Sequence, residues 1–328
     1  MSCINTFSLL QMKPSCYGRA VVLSLPCAAF AATTCFVIMM ANEAHNGATE
    51  KTPSTSHMIL GASAIPSSTH SPRLDLLKQL CSPIRVTALV EFQLLLLTFC
   101  TGIQDSTTFP DFHCFASNQT GNTVMLAMSV ALPELADHLF VTTNIGLSLG
   151  LFLAGGLITG QLSHIVGPRS RLWLLLSNLI QTALIFGAAE LQYASGVSLK
   201  GPQASAVIIL LAFSSGSQVV LSRSLAMTEI STAMATAAWV DLLIDPQLWG
   251  LRNRSRNRRA AFLVTLFAGS FAGAFMYRSV GSASTLVVSA VGKLLVTVLF
   301  LLNESEGKEV ALDKSMDDCY TCAPGNSV

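Results

Sequence analysis

The sequence is poor in charged residues: Asp, Glu, Lys and Arg make up 11% of its 328 residues, whereas 51% are hydrophobic. Soluble domains carry roughly a quarter charged residues, because water must wet their surfaces. A mean hydropathy of +0.56 therefore excludes an ordinary water-soluble domain and indicates that much of the surface faces lipid. The formal net charge of +1 gives no electrostatic reason to expect a nucleic-acid partner. The hydropathy makes the lipid bilayer the expected partner.

Motifs of common enzyme classes are also scarce. The sequence has neither a Gly-rich phosphate loop nor HExxH, and its nine cysteines lack the spacing of a zinc site or a disulfide scaffold. An intramembrane enzyme would need a nucleophile that faces a base, such as Cys100 or Cys114 with His113, and their spacing does not indicate this arrangement. We therefore expect no enzymatic activity, no cofactor and no metal site.

Six apolar segments are long enough to cross a hydrocarbon layer of about 30 Å as helices that rise about 1.5 Å per residue. Lipid cannot satisfy free backbone amides, and the segments lack the alternation of a membrane β-barrel. The sequence thus predicts an all-α, polytopic transmembrane helical bundle with a transmembrane domain over 87–302. Its spans are expected at 87–106, 141–164, 172–191, 204–222, 260–278 and 282–302.

Both ends of the chain differ from this core. Residues 1–86 form an N-terminal extension whose apolar stretch, 20–41, fits a signal peptide, a signal anchor or a seventh span. Residues 42–86 are rich in Ser, Thr, Pro and Gly, so we expect a disordered linker. Residues 303–328 are polar and are expected to form a disordered tail in the cytosol.

The charges of the loops predict the orientation of the spans. Translocation across a membrane is biased against Lys and Arg, so basic loops are expected in the cytosol. Loops on the side of the linker hold Arg169, Arg171, Arg223, Arg252, Arg254, Arg256, Arg258 and Arg259. The opposite loops and span ends hold Lys200 and Arg278 with Asp105, Asp111, Glu134, Asp137 and Glu190. This division predicts that both ends of the six-span core are cytosolic, in a membrane that the sequence does not identify.

Two loops are long and apolar enough to contain half-membrane or re-entrant helices, one over 109–132 and the other over 224–243. The spans before them also match, since FCTGIQ at 99–104 resembles FSSGSQ at 213–218. A unit of three spans plus a half-helix inverts its orientation in the second copy, because three is odd. We therefore predict a 3+3 internal repeat; half-helices that crossed fully would instead make the halves parallel.

The candidate substrate-binding residues lie around these loops. Glycine lets a backbone approach a ligand, amides and hydroxyls can bind it by hydrogen bonds, and an aspartate can hold a cation or a proton. The alternative is that Asn118 or Thr120 caps the next helix and that the amides satisfy a broken backbone. The candidates are Asp105, Gln119, Thr120, Gly121, Asn122, Gln218 and Thr236.

Two charged residues, Glu91 and Lys293, fall inside predicted spans, where an isolated charge costs about 2.5 to 3.5 kcal/mol on insertion scales. They could pair with each other or line a wet pathway, and Glu91 could instead lie at the interface beside Arg85. Three pairs of glycines spaced four apart are typical of close helix packing: Gly146 and Gly150, Gly156 and Gly160, Gly269 and Gly273.

The same segments resemble a known family. A glycine and an aspartate close the first span, and an aromatic residue and an S-x-Q-T-G-N block, here 117–122, follow them. A second signature covers 212–248 and 257–275, where Thr236 and Ala237 stand in place of a frequent Thr-Gly. In these residues the chain resembles the fungal branch of the YoaK-type family of uncharacterised multi-pass membrane proteins. The resemblance implies a membrane location and no established reaction, substrate or cofactor.

The repeat and the charges at membrane depth favour a small-solute secondary transporter or permease, with a small molecule or an ion as substrate. The alternative is a non-transporting membrane scaffold or sensor, because no substrate chemistry is identifiable and the basic run RNRSRNRR at 252–259 could bind a partner. The sequence does not indicate an oligomeric state.

Overall fold

The computed structural model describes residues 82–303, except 133, 135–139, 228 and 250–252. The expectations for 20–41, for most of the linker and for the tail after 303 concern residues outside this range, as do those for Asp137 and Arg252.

The described residues form eight helices and one isolated β-bridge, between Pro83 and Ser170. Six of the helices are long and apolar enough to cross a membrane, namely α1, α3, α4, α5, α7 and α8. This architecture confirms the predicted all-α bundle and identifies a multi-pass membrane protein. The helices are α1 (Ala88–Phe112), α2 (Gln119–Ala131), α3 (Thr142–Val166), α4 (Arg171–Ser195), α5 (Pro202–Ser224), α6 (Ala235–Leu243), α7 (Arg254–Val280) and α8 (Ser282–Leu301).

Contacts between helix ends show which spans run in the same direction. Near the starts of α7 and α1, Arg258 lies 2.5 Å from Glu91. At the other end of the bundle, Asp111 of α1 accepts hydrogen bonds from Tyr277 near the end of α7, at 2.8 Å, and from Gln192 near the end of α4, at 3.2 Å. Helices α1, α4 and α7 therefore end together.

The other three spans begin where these end. Asn144 near the start of α3 donates to the carbonyl of Phe112, the last residue of α1, at 3.0 Å. It also donates to the carbonyl of Leu199, just before α5, at 2.8 Å. Ser282, the first residue of α8, donates to the Asp111 carboxylate. The six spans thus cross the bundle alternately, as the sequence predicts.

The two ends of the bundle differ in charge. We call the end with the starts of α1, α4 and α7 the basic face; its described arginines are Arg85, Arg169, Arg171, Arg223, Arg254, Arg256, Arg258 and Arg259. We call the opposite end the acidic face; its acidic residues are Asp111, Glu134 and Glu190. The arginines are therefore concentrated on one face, as predicted. The acidic residues are not, because Glu91, Glu229, Asp241 and Asp245 lie on the basic face. The cytosolic location of the basic face remains a prediction.

The helices pack as two interlocked halves. The first span of each half lies against the second span of the other: α1 packs on α7, and α5 packs on α3. The third span of each half also lies against the first span of the other: α4 packs on α5, and α8 packs on α1. The two third spans, α4 and α8, pack on each other. A pseudo-two-fold axis that relates the two halves produces this pattern of contacts. Because each half has three spans, equivalent helices cross the bundle in opposite directions. The predicted inverted 3+3 repeat is confirmed.

Glycines set the closest of these contacts. In the α1–α7 pair, a methyl group at Gly269 would collide with the carbonyl of Phe99, and one at Gly102 would lie 2.6 Å from the carbonyl of Leu266. The absence of a side chain lets the two backbones touch, as small residues do in membrane helix pairs.

The α3–α5 pair repeats this arrangement. A methyl group at Gly155 would collide with the carbonyl of Phe213, and one at Gly216 with the carbonyl of Phe152. Gly155 and Gly269 are 114 positions apart, as are Phe99 and Phe213. The two helix pairs therefore share one register, which the short FCTGIQ and FSSGSQ match only indicated.

The predicted glycine ridges are only partly correct. Gly273 packs closely, because a methyl group there would lie 2.7 Å from the Cα of Ile103. Gly156 makes only ordinary contact, 3.7 Å from Val220. The prediction for Gly146 and Gly150 is wrong, since nothing lies within 4 Å of a methyl group at either position.

Two apolar clusters fill the bundle, one near each face, with a polar layer between them. On α8, for example, Val296 and Phe300 belong to the cluster at the basic face, and Leu286 and Ala290 to the cluster at the acidic face. The buried residues between the clusters include Thr101, Gln104, Asn178, Gln181, Ser214, Gln218, Ser289 and Lys293, which we call the polar layer.

The contacts of the bundle extend slightly beyond residues 87–302. Ile84, which the sequence assigns to the disordered linker, is 1% exposed, and its N–H donates to the carbonyl of Arg169 at 3.0 Å. Asn303, assigned to the tail, exchanges hydrogen bonds with Gln93 at 3.1 and 3.0 Å. Both contacts lie at the basic face. The composition of the flanking segments does not predict them, because they join residues that are far apart in the sequence.

The glycine contacts predict opposite outcomes for two substitutions in α3. Gly155→Ala should destabilise the protein by about 1 to 3 kcal/mol, because the methyl group forces two backbones apart. Gly150→Ala is the matched control and should not be destabilising, since that position is open and alanine favours a helix. Thermal unfolding of both variants in detergent measures the difference; equal midpoints would contradict the proposed backbone contact.

Candidate functional site

The segment after α1 turns back into the bundle. The Ser117 N–H donates to Asp105 Oδ1 at 2.8 Å and the Ser117 hydroxyl to Oδ2 at 2.5 Å. Asp105 lies seven residues before the end of α1, which is about 10 Å inward at the helical rise. The chain therefore descends to Ser117 and returns to the same face along α2, whose 13 residues span about 20 Å, too little to cross. We call residues 113–132 the first re-entrant segment.

The polar block of this segment satisfies its own backbone. Asn118 caps α2 by accepting from the N–H of Gly121 at 3.3 Å. Asn122 holds the descending chain, because its Oδ1 accepts from the N–H of Phe115 at 2.9 Å and its Nδ2 donates to the carbonyl of Phe115 at 2.8 Å. In this state the structure supports the capping interpretation of the block.

The remaining candidates of the block have different surroundings. Gln119 donates to the carbonyl of Ala116 at 3.1 Å, and Thr120 is exposed at the surface of the bundle. Gly121 is approached by the Phe115 ring, which would lie 3.2 Å from a methyl group there. The Phe115 ring thus packs directly against Gly121.

Residues 146–150, GLSLG, match the letters of a GxSxG nucleophile motif, which needs a sharp strand-to-helix turn. They lie inside α3 instead. Ser148 donates to the carbonyl of Phe115 at 2.6 Å and so supports the first re-entrant segment.

The described residues 225–227 and 229–249, which we call the α6 segment, begin and end at the basic face, where α5 ends and α7 starts. Its helix α6 has nine residues, about 14 Å in length, and cannot cross a membrane. Thr232 is buried and donates to Ser222 of α5 at 3.4 Å, whereas Thr236 is exposed. The backbone N–H of Gln247 holds the pKa of the Asp245 carboxyl below its usual value, with help from the Asn253 amide.

Ion pairs tie this segment to the spans. Glu91 accepts from Arg254 and Arg258, both at 2.5 Å, and Arg258 also lies 3.8 Å from Glu229. Arg259 lies 3.5 Å from Asp245. The structure thus pairs Glu91 at the basic face and not with Lys293, because the two belong to different levels of the bundle.

Two glutamines of the polar layer join the halves. Gln218 of α5 donates to Thr101 of α1 at 2.8 Å, and Gln104 of α1 donates to Ser289 of α8 at 2.9 Å. Thr101 and Asp105 are four residues apart and therefore lie on one face of α1. The structure thus brings Gln218 within one helical turn of Asp105.

Lys293 lies in the middle of this layer and is 0% exposed. Its Nζ donates to Gln181 Oε1 at 3.0 Å and to Ser214 Oγ at 3.3 Å. No carboxylate of the described residues lies within 4.0 Å of this ammonium group. Nearby, Asn178 Oδ1 is buried and has no hydrogen-bond partner.

Sequence reasoning missed most of the polar layer. Gln181, Ser214 and Ser289 are each serine or amide residues in apolar helices, unremarkable one at a time. The sequence could have revealed them by their position within the spans. Each of α1, α4, α5 and α8 has a polar residue near its middle, and the structure shows that these side chains are buried. Thr120 and Thr236, in contrast, do not join this layer.

Comparison with known proteins gives one match. A family model described as protein of unknown function (DUF1275) matches residues 93–299, more than half of the chain. No curated protein and no solved structure matches.

The Asp105–Ser117 contact predicts how the first re-entrant segment is held. Asp105→Asn weakens two hydrogen bonds to a charged acceptor, each worth about 1.5 to 3 kcal/mol, so the segment should open at least tenfold more often. Cys114 is buried in this segment and reports the opening through its rate of alkylation, measured by peptide mass spectrometry. Asp241→Asn, at an exposed side chain, is the control. Unchanged alkylation of Cys114 in Asp105→Asn would show that the carboxylate does not hold the segment.

Proposed function

The chain belongs to the protein family of unknown function DUF1275, and we propose that this member is a small-solute secondary transporter or permease. The main support is the inverted repeat, whose first re-entrant segment enters the bundle from the acidic face while the α6 segment begins and ends at the basic face. Such repeats with broken helices are a recurring plan of secondary transporters, in which one half moves against the other around a central site.

The polar layer supports this proposal. Polar and ionisable groups inside a membrane are costly and line substrate or ion pathways in many proteins. Here they gather at the contact between the two halves, where Gln218 of one half donates to Thr101 of the other. A relative movement of the halves would break these hydrogen bonds and free the side chains for a solute.

In this proposal the predicted site residues have two roles. Gln218, with Gln104 and Lys293, would contact the solute. Asp105 and the 119–122 block would set the position of the first re-entrant segment, which covers the polar layer from the acidic face. We propose further that the basic face is cytosolic and that the chain has no catalytic activity and no cofactor.

The family assignment can be made finer. We propose that the chain is of the YoaK type and of its fungal branch, on the basis of the S-x-Q-T-G-N block at 117–122 and the second signature at 212–248 and 257–275. The finer name carries no function of its own.

A non-transporting scaffold or sensor is the second candidate. It is favoured by one observation: the polar groups of the first re-entrant segment satisfy each other, so no binding site stands open there. The basic run gives this candidate less support than its sequence did, because Arg258 and Arg259 are engaged in ion pairs within the chain.

Flux through proteoliposomes separates the two candidates. With chloride, rubidium and urea as anionic, cationic and neutral probes, the full chain should raise the flux of at least one above that of empty vesicles. Gln218→Met should reduce that flux at least tenfold, because it removes an amide that would contact the solute without changing the side-chain length much. Thr236→Val, at an exposed position, should leave it unchanged. A folded chain that carries none of the probes would favour the scaffold.

A further inference from the structure

Lys293 lies at the pseudo-two-fold axis. The shared Ser-x-x-x pattern aligns Ser289 and Lys293 of α8 with Ser177 and Gln181 of α4, the equivalent helix of the first half. These positions are 112 apart and not 114, because the loop before α8, Gly281 alone, is shorter than the loop before α4, 167–170. Lys293 Nζ lies 3.0 Å from Gln181 Oε1, so a residue contacts its own repeat equivalent. Only groups at a two-fold axis can do so. Because the repeat is inverted, the axis runs in the membrane plane, and the ammonium group lies at mid-membrane.

The charge of Lys293 is not needed for packing. In the first half the equivalent position holds Gln181, a neutral side chain that donates to Ser177 at 3.2 Å. Both positions are buried, at 0% and 1% exposure. A second glutamine would therefore complete the layer without the cost of a buried ammonium group, about 2.5 to 3.5 kcal/mol on insertion scales.

The surroundings of Lys293 offer hydrogen bonds and no negative charge. An ammonium group has three donors, and two are used, by Gln181 and Ser214. From α1, the Cys100 thiol is the titratable group nearest to α8, where a methyl group at Gly292 would lie 2.5 Å from its Sγ. Among the described residues no carboxylate pairs with Lys293.

We propose that Lys293 is the cationic anchor of an anion site at the pseudo-two-fold axis, so that a small anion is the substrate class; this rests on the proposed transport function. The third ammonium donor binds the anion, and the hydroxyl of Ser214 and the amide of Gln181 can turn their donors toward it. An anion supplies the counter-charge that no carboxylate of the described residues provides. Its position at the axis makes the site equally accessible from the two faces as the halves move.

Anion binding can be measured without transport. The unfolding midpoint of the full chain in detergent should rise saturably with chloride or acetate, compared with gluconate at equal ionic strength, because a ligand of the folded state stabilises it. Lys293→Gln, which copies the first half, should weaken the apparent affinity at least tenfold. Lys200→Gln removes an exposed lysine and should behave as the unchanged chain. A chloride response alone identifies a halide site and an acetate response alone a carboxylate site.

A second variant keeps the test decisive if Lys293→Gln does not fold. Gln181→Glu places a carboxylate about where Oε1 now lies, 3.0 Å from Nζ, and so supplies an internal counter-charge. It should fold and lose the anion response. The proposal is overturned if Gln181→Glu or Lys293→Gln responds to anions like the unchanged chain, or if neither anion shifts the unchanged chain relative to gluconate.

The two proposals fail separately. Anion binding at Lys293 without flux of chloride or acetate would refute the transporter and keep the site. Flux of rubidium or urea that is sensitive to Gln218→Met, without any anion response, would keep the transporter and refute the anion site.

Discussion

Hydrocarbon offers no hydrogen-bond partner, so every polar group that this chain places at membrane depth must find its partner within the protein. The spans meet this demand as helices. The irregular descent from His113 to Asn118 cannot, and side chains replace the missing backbone bonds: Asp105 accepts from Ser117, Asn122 holds Phe115 on both sides, and Asn144 caps the carbonyl of Phe112. These are the polar residues that look like a binding site in the sequence.

The second constraint is symmetry. Glycines at equivalent positions bring α1 against α7 and α5 against α3, so the two halves interlock and leave α4 and α8 facing each other across the axis. The polar layer lies at this junction. One departure from symmetry stands out there, since Lys293 occupies the place that Gln181 holds in the other half. A buried ammonium group with which no carboxylate of the described residues pairs, at the junction of the two halves, is what links the fold to the proposed anion transport.

Much of the fold could be predicted from the sequence, because span length and loop charge are local properties that lipid enforces strictly. The number of spans, the concentration of arginines on one face and the repeat followed from them. The candidate site was harder. Asp105 and Asn122 carry polar groups whether they bind a solute or a broken backbone, and only their partners decide between these roles. Ser214 and Gln181 were missed because their significance comes from neighbours about 80 to 110 positions away in the chain.

The inverted arrangement of the first re-entrant segment and the α6 segment is the central claim, and labelling from two sides tests it most directly. Leu132→Cys at the end of α2 and Trp249→Cys after α6 place thiols on exposed positions, 46% and 91% accessible. In sealed vesicles, an impermeant maleimide should modify one of them from outside and the other only after permeabilisation, as peptide mass spectrometry would show. Modification of both from the same side would mean that α2 and α6 cross fully and that the halves are parallel.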